Sequence, residues 1–339
     1  MSLRRFLSTL LVAGPLALAG CGESIPEGPL AYVSNEATDD VSVISTATNE
    51  VVATVAAGDR PRGIQAGPEG ERIFVAVSNE NAIAVIDVAT NSVEKKVDAG
   101  ADPEQFAVSP DGRTLYVSNE TAGEASAIDV ASGQVANSWT VGIEPEGVAA
   151  SPDGRWVYVT SESSHTVTVI DTESQEVVKS FRVGNRPRGA AFSPDGTRAY
   201  VTGEVGGTVS VVDVTNHEVV ETITIGEGGE AAKPVGVVVS PDGSRVFVAD
   251  GEANRVAVID AEALEVVEMV PRGERPWGVD LTPDGRVLYT ANGGTHDVSV
   301  VDTETLEEVT TISVGELPWG VAVTPGPSGG SGGSQGGGA

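Results

Sequence analysis

The sequence has 339 residues, of which 49 are acidic and 20 basic, and its formal net charge is −29. Nucleic-acid binding needs Lys and Arg that neutralise phosphates, so this charge excludes a nucleic-acid partner and also opposes binding to an anionic membrane surface. The single cysteine excludes an internal disulfide, a zinc ribbon and an iron–sulfur site, whereas 40% hydrophobic residues are enough for a large core.

The chain begins with a segment that predicts export and lipidation. Arg4 and Arg5 precede a mostly apolar stretch at 6–19, which is too short to span a membrane. The letters LAGC at 18–21 resemble the lipobox of bacterial lipoproteins, where the cysteine is acylated and becomes the mature N-terminus. We therefore expect residues 1–20 to be a signal peptide and Cys21 to carry a lipid. The alternative is an ordinary signal peptide that contains a cysteine.

Lipidation at Cys21 predicts where the protein resides. Residues 21–30 form a tether, and acyl chains anchor it with about 0.8 kcal/mol for each buried CH₂ group. We expect a periplasmic protein attached to the outer membrane, because Gly22 stands where an Asp would favour the inner membrane. Contact with the membrane is expected only through Cys21.

Seven similar segments follow the tether. Their aromatic residues recur at intervals of 42, 42, 42, 42, 47 and 42: Tyr32, Phe74, Tyr116, Tyr158, Tyr200, Phe247 and Tyr289. Prolines repeat with the same spacing: Pro61, Pro103, Pro145, Pro187, Pro234, Pro276 and Pro318. Both series place one five-residue insertion around 227–232. A fixed period of this length is typical of repeat architectures.

Each repeat predicts four short strands. In one repeat these are Gly147–Ser151, Tyr158–Thr160, Thr166–Ile170 and Val177–Val183, with a Ser-Pro-Asp-Gly turn at 151–154. Apolar and β-branched residues alternate, as in half-buried strands, and no window shows helical periodicity. Units of this length with four strands are typical of β-propeller blades. We predict an all-β fold, a seven-bladed β-propeller; the alternative, a β-solenoid, has shorter rungs.

The ends of the repeat region predict how the ring closes. The chain enters at a second strand, around Tyr32, and leaves at a first strand, Gly320–Thr324. The C-terminal strand can therefore complete one blade with the three N-terminal strands, which removes exposed sheet edges. The propeller is expected to occupy 31–325, and the Gly/Ser-rich residues 326–339 are expected to be disordered.

Two sets of motifs carry a family resemblance. The segments YVSN at 116–119 and VTVID at 167–171 resemble the YVTN family of β-propeller repeats. The motifs around the repeated prolines are similar to those of the PQQ-dependent catabolism-associated β-propeller proteins: RPRG (60–63), DPE (102–104), EPEG (144–147), RPRG (186–189), KPVG (233–236), RPWG (275–278) and LPWG (317–320).

This resemblance implies a non-catalytic binding or scaffold protein that serves quinoprotein alcohol oxidation and its transporter. PQQ would belong to the neighbouring enzymes, so no cofactor is predicted for this chain. Two alternatives remain: a periplasmic enzyme or small-molecule-binding propeller that uses the channel mouth, and a cell-surface structural or adhesion protein.

Catalytic signatures are absent from the sequence. His165, His217 and His296 fall in different repeats, with His217 expected on the opposite face from the other two, so they cannot share a metal. Nucleophile elbows, phosphate loops and dinucleotide fingerprints do not occur. No catalytic or metal-ligating residue is assigned.

The residues that flank the repeated prolines are the candidate binding site, because they are expected around one mouth of the central channel. Two adjacent repeats bring six carboxylates: Asp102, Glu104, Glu120, Glu144, Glu146 and Glu162. The other repeats bring six cations and two tryptophans: Arg60, Arg62, Arg186, Arg188, Lys233, Arg275, Trp277 and Trp319. The loops also bring Glu36 and Glu204 to this mouth.

Three interpretations of this mouth remain open. The charges could form an ion-pair ring that rigidifies the loops. The Arg and Trp residues could instead bind a periplasmic protein partner or a small anionic or aromatic ligand. Ca²⁺ could neutralise the clustered carboxylates, since it prefers oxygen ligands. We expect the protein to be a monomer.

Overall fold

The computed structural model describes residues 28–226 and 232–324. The predicted signal peptide, Cys21, nearly all of the tether, the tail at 326–339 and most of the insertion lie outside the described residues and stay predictions. Among the described residues, no helix is long and apolar enough to cross a membrane.

The described residues form seven antiparallel sheets of four strands, arranged as the blades of a propeller. From the innermost to the outermost strand, they are blade 1 (β28 Pro318–Thr324, β1 Leu30–Asn35, β2 Asp40–Ser45, β3 Glu50–Ala56), blade 2 (β4 Pro61–Ala66, β5 Arg72–Val77, β6 Ala82–Asp87, β7 Ser92–Asp98), blade 3 (β8 Pro103–Val108, β9 Thr114–Asn119, β10 Glu124–Asp129, β11 Gln134–Thr140), blade 4 (β12 Pro145–Ala150, β13 Trp156–Ser161, β14 Thr166–Asp171, β15 Glu176–Arg182), blade 5 (β16 Pro187–Phe192, β17 Arg198–Gly203, β18 Thr208–Asp213, β19 Glu218–Thr224), blade 6 (β20 Pro234–Val239, β21 Arg245–Asp250, β22 Arg255–Asp260, β23 Glu265–Pro271) and blade 7 (β24 Pro276–Leu281, β25 Val287–Asn292, β26 Asp297–Asp302, β27 Glu308–Ser313). The only helical element in this part of the chain is a 3₁₀ turn at Ser78–Glu80. The predicted seven-bladed fold is confirmed.

Blade 1 closes the ring as predicted. Strand β28 pairs antiparallel with β1, and the register places Thr324 opposite Leu30 and Val321 opposite Val33. The hydrophobic contacts continue through this closure, since Ala31 of blade 1 shares a core cluster with Tyr289 of blade 7. The edge of β1 that faces the channel is therefore paired where the two ends of the chain meet.

The hydrophobic core lies between neighbouring blades. Tyr32 and Val43 of blade 1, for example, pack with Ile73 and Val75 of blade 2, and all four are fully buried. Burial of a Val or Ile side chain contributes about 1.5–3 kcal/mol, so each interface stabilises the two blades that it joins. The outermost strands are exposed at most positions, as expected for the rim of the propeller.

One end of the ring, the turn face, is formed by the repeated Ser-Pro-Asp-Gly turns. In blade 4, Asp153 accepts hydrogen bonds from Ser151 Oγ (2.5 Å) and from the Arg155 backbone N–H (3.0 Å), which hold its pKa below the usual range. Gly154 adopts a φ of 74° that favours glycine. The motif is therefore a structural turn, as predicted.

The repeated Asp residues at the ends of the third strands also have structural roles. Asp171 Oδ1 accepts hydrogen bonds from the backbone N–H groups of Glu173 and Ser174, at 2.9 and 3.0 Å. The same arrangement occurs at Asp260 and Asp302. Part of the large negative charge thus belongs to turns rather than to a binding surface.

Candidate functional site

The opposite end of the ring, the mouth face, is formed by the residues on either side of the prolines that begin the inner strands. Six of the seven residues before these prolines have φ between 51° and 58°: Arg60, Asp102, Glu144, Arg186, Arg275 and Leu317. This left-handed conformation costs a non-glycine residue about 1–2 kcal/mol. It is repeated around the ring and presents these side chains at the mouth.

Side chains of the preceding blades hold this strained backbone in place. The backbone N–H of Arg186 donates to His165 Nδ1 and that of Leu317 to His296 Nδ1, both at 3.1 Å. These two histidines therefore have positions in the scaffold rather than in a metal site. His217 is on the turn face, as predicted, but it is buried and its Nδ1 lies 2.7 Å from the Tyr158 hydroxyl.

The mouth encloses a cavity of about 600 Å³. Nine of the twelve residues predicted for the site line it: Arg60, Arg62, Glu144, Glu146, Arg186, Arg188, Arg275, Trp277 and Trp319. Asp102 and Glu104 lie behind its wall, with Glu104 fully buried, and Lys233 lines a second cavity of about 600 Å³ on the far side of Trp277. Whether these residues bind a ligand stays a prediction.

The structure changes the expected division into an acidic and a basic sector. Arg62 of blade 2 forms an ion pair with Glu104 of blade 3 and also contacts Glu36 at 3.2 Å. Arg62 is buried, which by itself lowers its pKa, but the contacts with these carboxylates raise the pKa above its usual value. The carboxylates of blade 3 are therefore partly neutralised by the neighbouring blade.

Arg188 of blade 5 makes the densest set of ion pairs in the mouth. It contacts Glu146, approaches Glu162 to 2.6 Å and Glu204 to 2.8 Å, and is itself largely buried. Burial lowers the pKa of Arg188, but the three carboxylates outweigh it and raise the pKa. The interpretation of the mouth as an ion-pair ring thus has a clear geometric basis at Arg62 and Arg188.

The negative charges nevertheless outnumber the guanidinium groups on the side of blades 3 and 4. Burial, with Glu104 and Asp102 beside it, raises the pKa of Glu120 to about 7. Burial also raises the pKa of Glu146 well above its usual value, although Arg188 opposes the shift. At neutral pH the mouth therefore holds one carboxyl group, Glu120, that can accept or release a proton.

Asp102, Glu104 and Glu120 are the three residues, within the described part of the chain, whose oxygens lie close enough together to ligate a metal, all within 4.8 Å. Oxygen donors of this kind fit Ca²⁺. However, Arg62 already contacts Glu104, and Arg60 Nη1 lies 3.5 Å from Asp102, so guanidinium groups supply the charge that a cation would bring. The Ca²⁺ site stays a prediction.

Trp277 and Trp319 form the opposite wall of the cavity. Their ring centroids are 6.2 Å apart. The guanidinium carbons of Arg275 and Arg188 lie 4.9 and 5.4 Å from the Trp277 ring centroid, in the range of cation–π contacts. The cavity therefore has one wall of carboxylates and one wall of aromatic rings and guanidinium groups.

A ring of glycines closes the channel below this cavity. A Cβ at Gly147 would lie 2.0 Å from the backbone oxygen of Arg188, so the inner strands approach too closely for a side chain. Gln105 is the exception in this ring, and together with Trp319 it lines a space of only about 130 Å³. The sequence analysis missed Gln105, although it replaces the glycine found at the same place in the other six repeats.

Two β-propeller family models match parts of the chain. The model "Lactonase, 7-bladed beta-propeller" matches residues 171–311, and the model "YNCE-like beta-propeller" matches 94–192. No curated protein matches the chain. The predicted YVTN-type resemblance is supported at this coarse level, as a seven-bladed propeller of the lactonase and YNCE-like kind. The narrower likeness to PQQ-associated propellers gains no support.

Solved structures of other proteins are similar over most of the chain. Hydrazine synthase from Kuenenia stuttgartiensis is 26% identical with a TM-score of 0.71, over 77% of this chain and 89% of that one. A candidate 6-phosphogluconolactonase from Bacteroides uniformis is 19% identical with a TM-score of 0.74, over 88% of this chain and 100% of that one. A functionally unknown protein from Desulfotomaculum acetoxidans is 17% identical with a TM-score of 0.76, over 87% and 98%. The last two likenesses show the fold alone.

The prediction of a non-catalytic scaffold for quinoprotein alcohol oxidation is wrong. The lactonase model matches the second half of the ring, and the similar structure from Kuenenia stuttgartiensis is an enzyme. Both findings support instead the alternative stated with that prediction, a catalytic or small-molecule-binding propeller that uses the channel mouth. The scaffold prediction relied on motif resemblance around the prolines, and these motifs lie where the inner strands begin.

Proposed function

We propose that the protein is a hydrolase of small cyclic esters, and that the reaction takes place in the cavity at the mouth. The observation that carries this proposal is Glu120, a carboxyl group with a pKa of about 7 on the wall of that cavity. A general base works best when its pKa lies near the pH of the reaction. Glu120 is half ionised at neutral pH, so it can take a proton and return it within one catalytic cycle.

The proposed chemistry uses one water molecule. Glu120 accepts a proton from the water as its oxygen attacks the carbonyl carbon of the lactone. The bond between that carbon and the ring oxygen then breaks, and Glu120 returns the proton to the leaving oxygen, which gives an open hydroxy acid. Arg60, whose Nη1 lies 3.5 Å from Asp102 in the same carboxylate cluster, brings a positive charge to this side of the cavity that would stabilise negative charge on the carbonyl oxygen while its Nε stays paired with Glu36.

The comparisons favour this reaction class over other acid–base chemistry. The family model that matches residues 171–311 is named for lactonases, and its matched segment supplies Trp277 and Arg275 on the wall opposite Glu120. The cavity of about 600 Å³ also has the size of a small-molecule site.

A panel of lactones and a pH-indicator assay test the proposal directly. We expect Glu120→Gln to lower kcat about a hundredfold or more, because the amide cannot accept the proton. In the parent protein, kcat/KM should rise with pH through about 7, as Glu120 loses its proton. Glu173→Gln is the matched control, since Glu173 is exposed on the turn face. Failure to hydrolyse any lactone of the panel, or equal activity of both variants, would contradict the proposal.

A second candidate function is binding of a small molecule without turnover. The ion pairs of Arg62 and Arg188 favour this candidate. Guanidinium and carboxylate groups that are fixed in ion pairs give the pocket a rigid shape but do not transfer protons. Saturable binding of lactones that are never hydrolysed would support this candidate over the hydrolase.

A further inference from the structure

Arg275 differs from the other cations of the mouth. Five of the six have a carboxylate oxygen within 3.3 Å: Arg60 (Glu36, 3.1 Å), Arg62 (Glu36, 3.2 Å), Arg186 (Glu162, 2.7 Å), Arg188 (Glu204, 2.8 Å) and Lys233 (Glu252, 2.7 Å). Arg275 has no carboxylate partner among residues 28–226 and 232–324, and it is exposed to the cavity. An unpaired guanidinium in so acidic a protein leaves one positive charge available to a ligand.

The position of Arg275 is nevertheless fixed. Its backbone N–H donates to Asn254 Oδ1 at 2.9 Å, and its φ of 55° is the strained conformation that presents it at the mouth. Its guanidinium carbon lies 4.9 Å from the Trp277 ring centroid. Stacking uses the flat face of a guanidinium, so the N–H groups at its edge stay available as a planar fork of donors.

We propose that Arg275, stacked on Trp277, is the binding residue for a carboxylate of the ligand. A planar guanidinium with free edges forms two parallel hydrogen bonds to such a group. The hydrolysis of a ligand bound in this way rests on the proposed function. The binding step itself rests on the geometry of Arg275 alone.

The charge balance of the cavity favours one carboxylate over a phosphate. The guanidinium groups that line it number five, and so do the carboxylates: Arg60, Arg62, Arg186, Arg188 and Arg275 with Glu36, Glu120, Glu144, Glu146 and Glu162. Glu104 and Glu204 add two buried carboxylates behind the wall. Of these five guanidinium groups, only Arg275 has no carboxylate partner within the described part of the chain, so it compensates one negative charge of a ligand. The second charge of a phosphate would face the carboxylates uncompensated.

Three probes that share one ring separate these possibilities. Fluorine NMR can measure the affinities of 4-fluorobenzoate, 4-fluorophenyl phosphate and 4-fluorobenzyl alcohol for the full-length protein. We expect the carboxylate to bind most tightly and the neutral alcohol least. Arg275→Gln should weaken binding of the carboxylate about tenfold and leave that of the alcohol unchanged. Trp277→Leu should also weaken binding of the carboxylate, because the stack orients the guanidinium.

Arg286→Gln is the matched control, since Arg286 belongs to the same blade but is exposed on the turn face. Tighter binding of the phosphate, an equal effect of Arg275→Gln and Arg286→Gln, or no saturable binding of 4-fluorobenzoate to the folded protein would each overturn the proposal. Glu120→Gln separates it from the proposed function: this variant should lose hydrolysis and keep its affinity for 4-fluorobenzoate.

Discussion

The two faces of the ring use the same repeated backbone for different purposes. On the turn face, five blades form the same hydrogen bond from a Ser or Thr hydroxyl to an Asp two residues later. On the mouth face, the repeated left-handed residue is Arg, Asp, Glu or Leu, and its side chain differs from blade to blade. A constant side chain at a repeated position indicates a role in the fold. Variation over a constant backbone leaves the side chains of the mouth face free to serve the proposed function.

Gly147→Ala should have the largest effect on stability, because it tests how tightly the channel is packed below the mouth. The added Cβ would lie 2.0 Å from a backbone oxygen, which cannot move without shifting strand β16. We expect a loss of about 3 kcal/mol in the free energy of unfolding, measured by chemical denaturation. Gly67→Ala near the turn face is the control, since its nearest neighbour is 3.4 Å away. Equal stabilities of the two variants would show that the glycine ring is looser than described.

Arg188→Met tests whether the mouth face depends on its charges more than the turn face does. The substitution leaves Glu146 without its guanidinium partner, whereas Glu162 and Glu204 keep Arg186 at 2.7 and 3.4 Å. Breaking a buried pair of this kind costs about 3 kcal/mol. Burial already raises the pKa of Glu146, and without the opposing guanidinium this pKa rises further above that of the unfolded chain, so the loss should be larger at about pH 8 than at about pH 5.

The control for this prediction lies on the turn face. Arg155 Nη2 is 3.6 Å from Asp171, and its side chain is 55% exposed, so Arg155→Met should cost only about 0.5 kcal/mol and show little dependence on pH. If the two variants lose similar stability, the faces do not differ in the way proposed.

Asp242→Asn should have the smallest effect and tests the turn face alone. Asp242 accepts hydrogen bonds from Ser240 Oγ (2.6 Å) and the Ser244 N–H (3.0 Å), which lower its pKa to about 2. Because the folded pKa is depressed, this contribution is complete above the unfolded value of about 3.9 and is lost as the pH falls towards 2. The melting temperature of the variant should therefore fall below that of the parent at neutral pH and match it at about pH 2. If the melting temperatures of parent and variant still differ at about pH 2, the loss of stability comes from packing rather than from the charge of Asp242.

The sequence was sufficient to predict the fold, because repeats constrain one another. A strand pattern that fits one blade had to fit seven, and the pairing of the C-terminal strand with the N-terminal strands followed from the strand types at the two ends. It also predicted which residues reach the mouth, because many of them flank a proline that starts an inner strand and others, such as Glu36 and Glu120, follow the second strand of a blade.

The contacts within the mouth could not be predicted in the same way. Arg188 joins carboxylates from its own blade and the one before, which depends on side-chain reach across an interface rather than on sequence spacing. The raised pKa of Glu120 arises from burial and from Glu104 and Asp102, so it needs the three-dimensional structure. Gln105 was visible as a break in the glycine pattern, but its place in the channel was not.

The closure of blade 1 also places both ends of the described ring at the same face. Strand β28 runs from Pro318 at the mouth face to Thr324 at the turn face, and its partner β1 starts at Leu30 beside Thr324. Both ends of the ring therefore leave from the turn face. If the predicted lipid at Cys21 attaches the protein to a membrane, the chain would enter the ring at the face opposite the cavity.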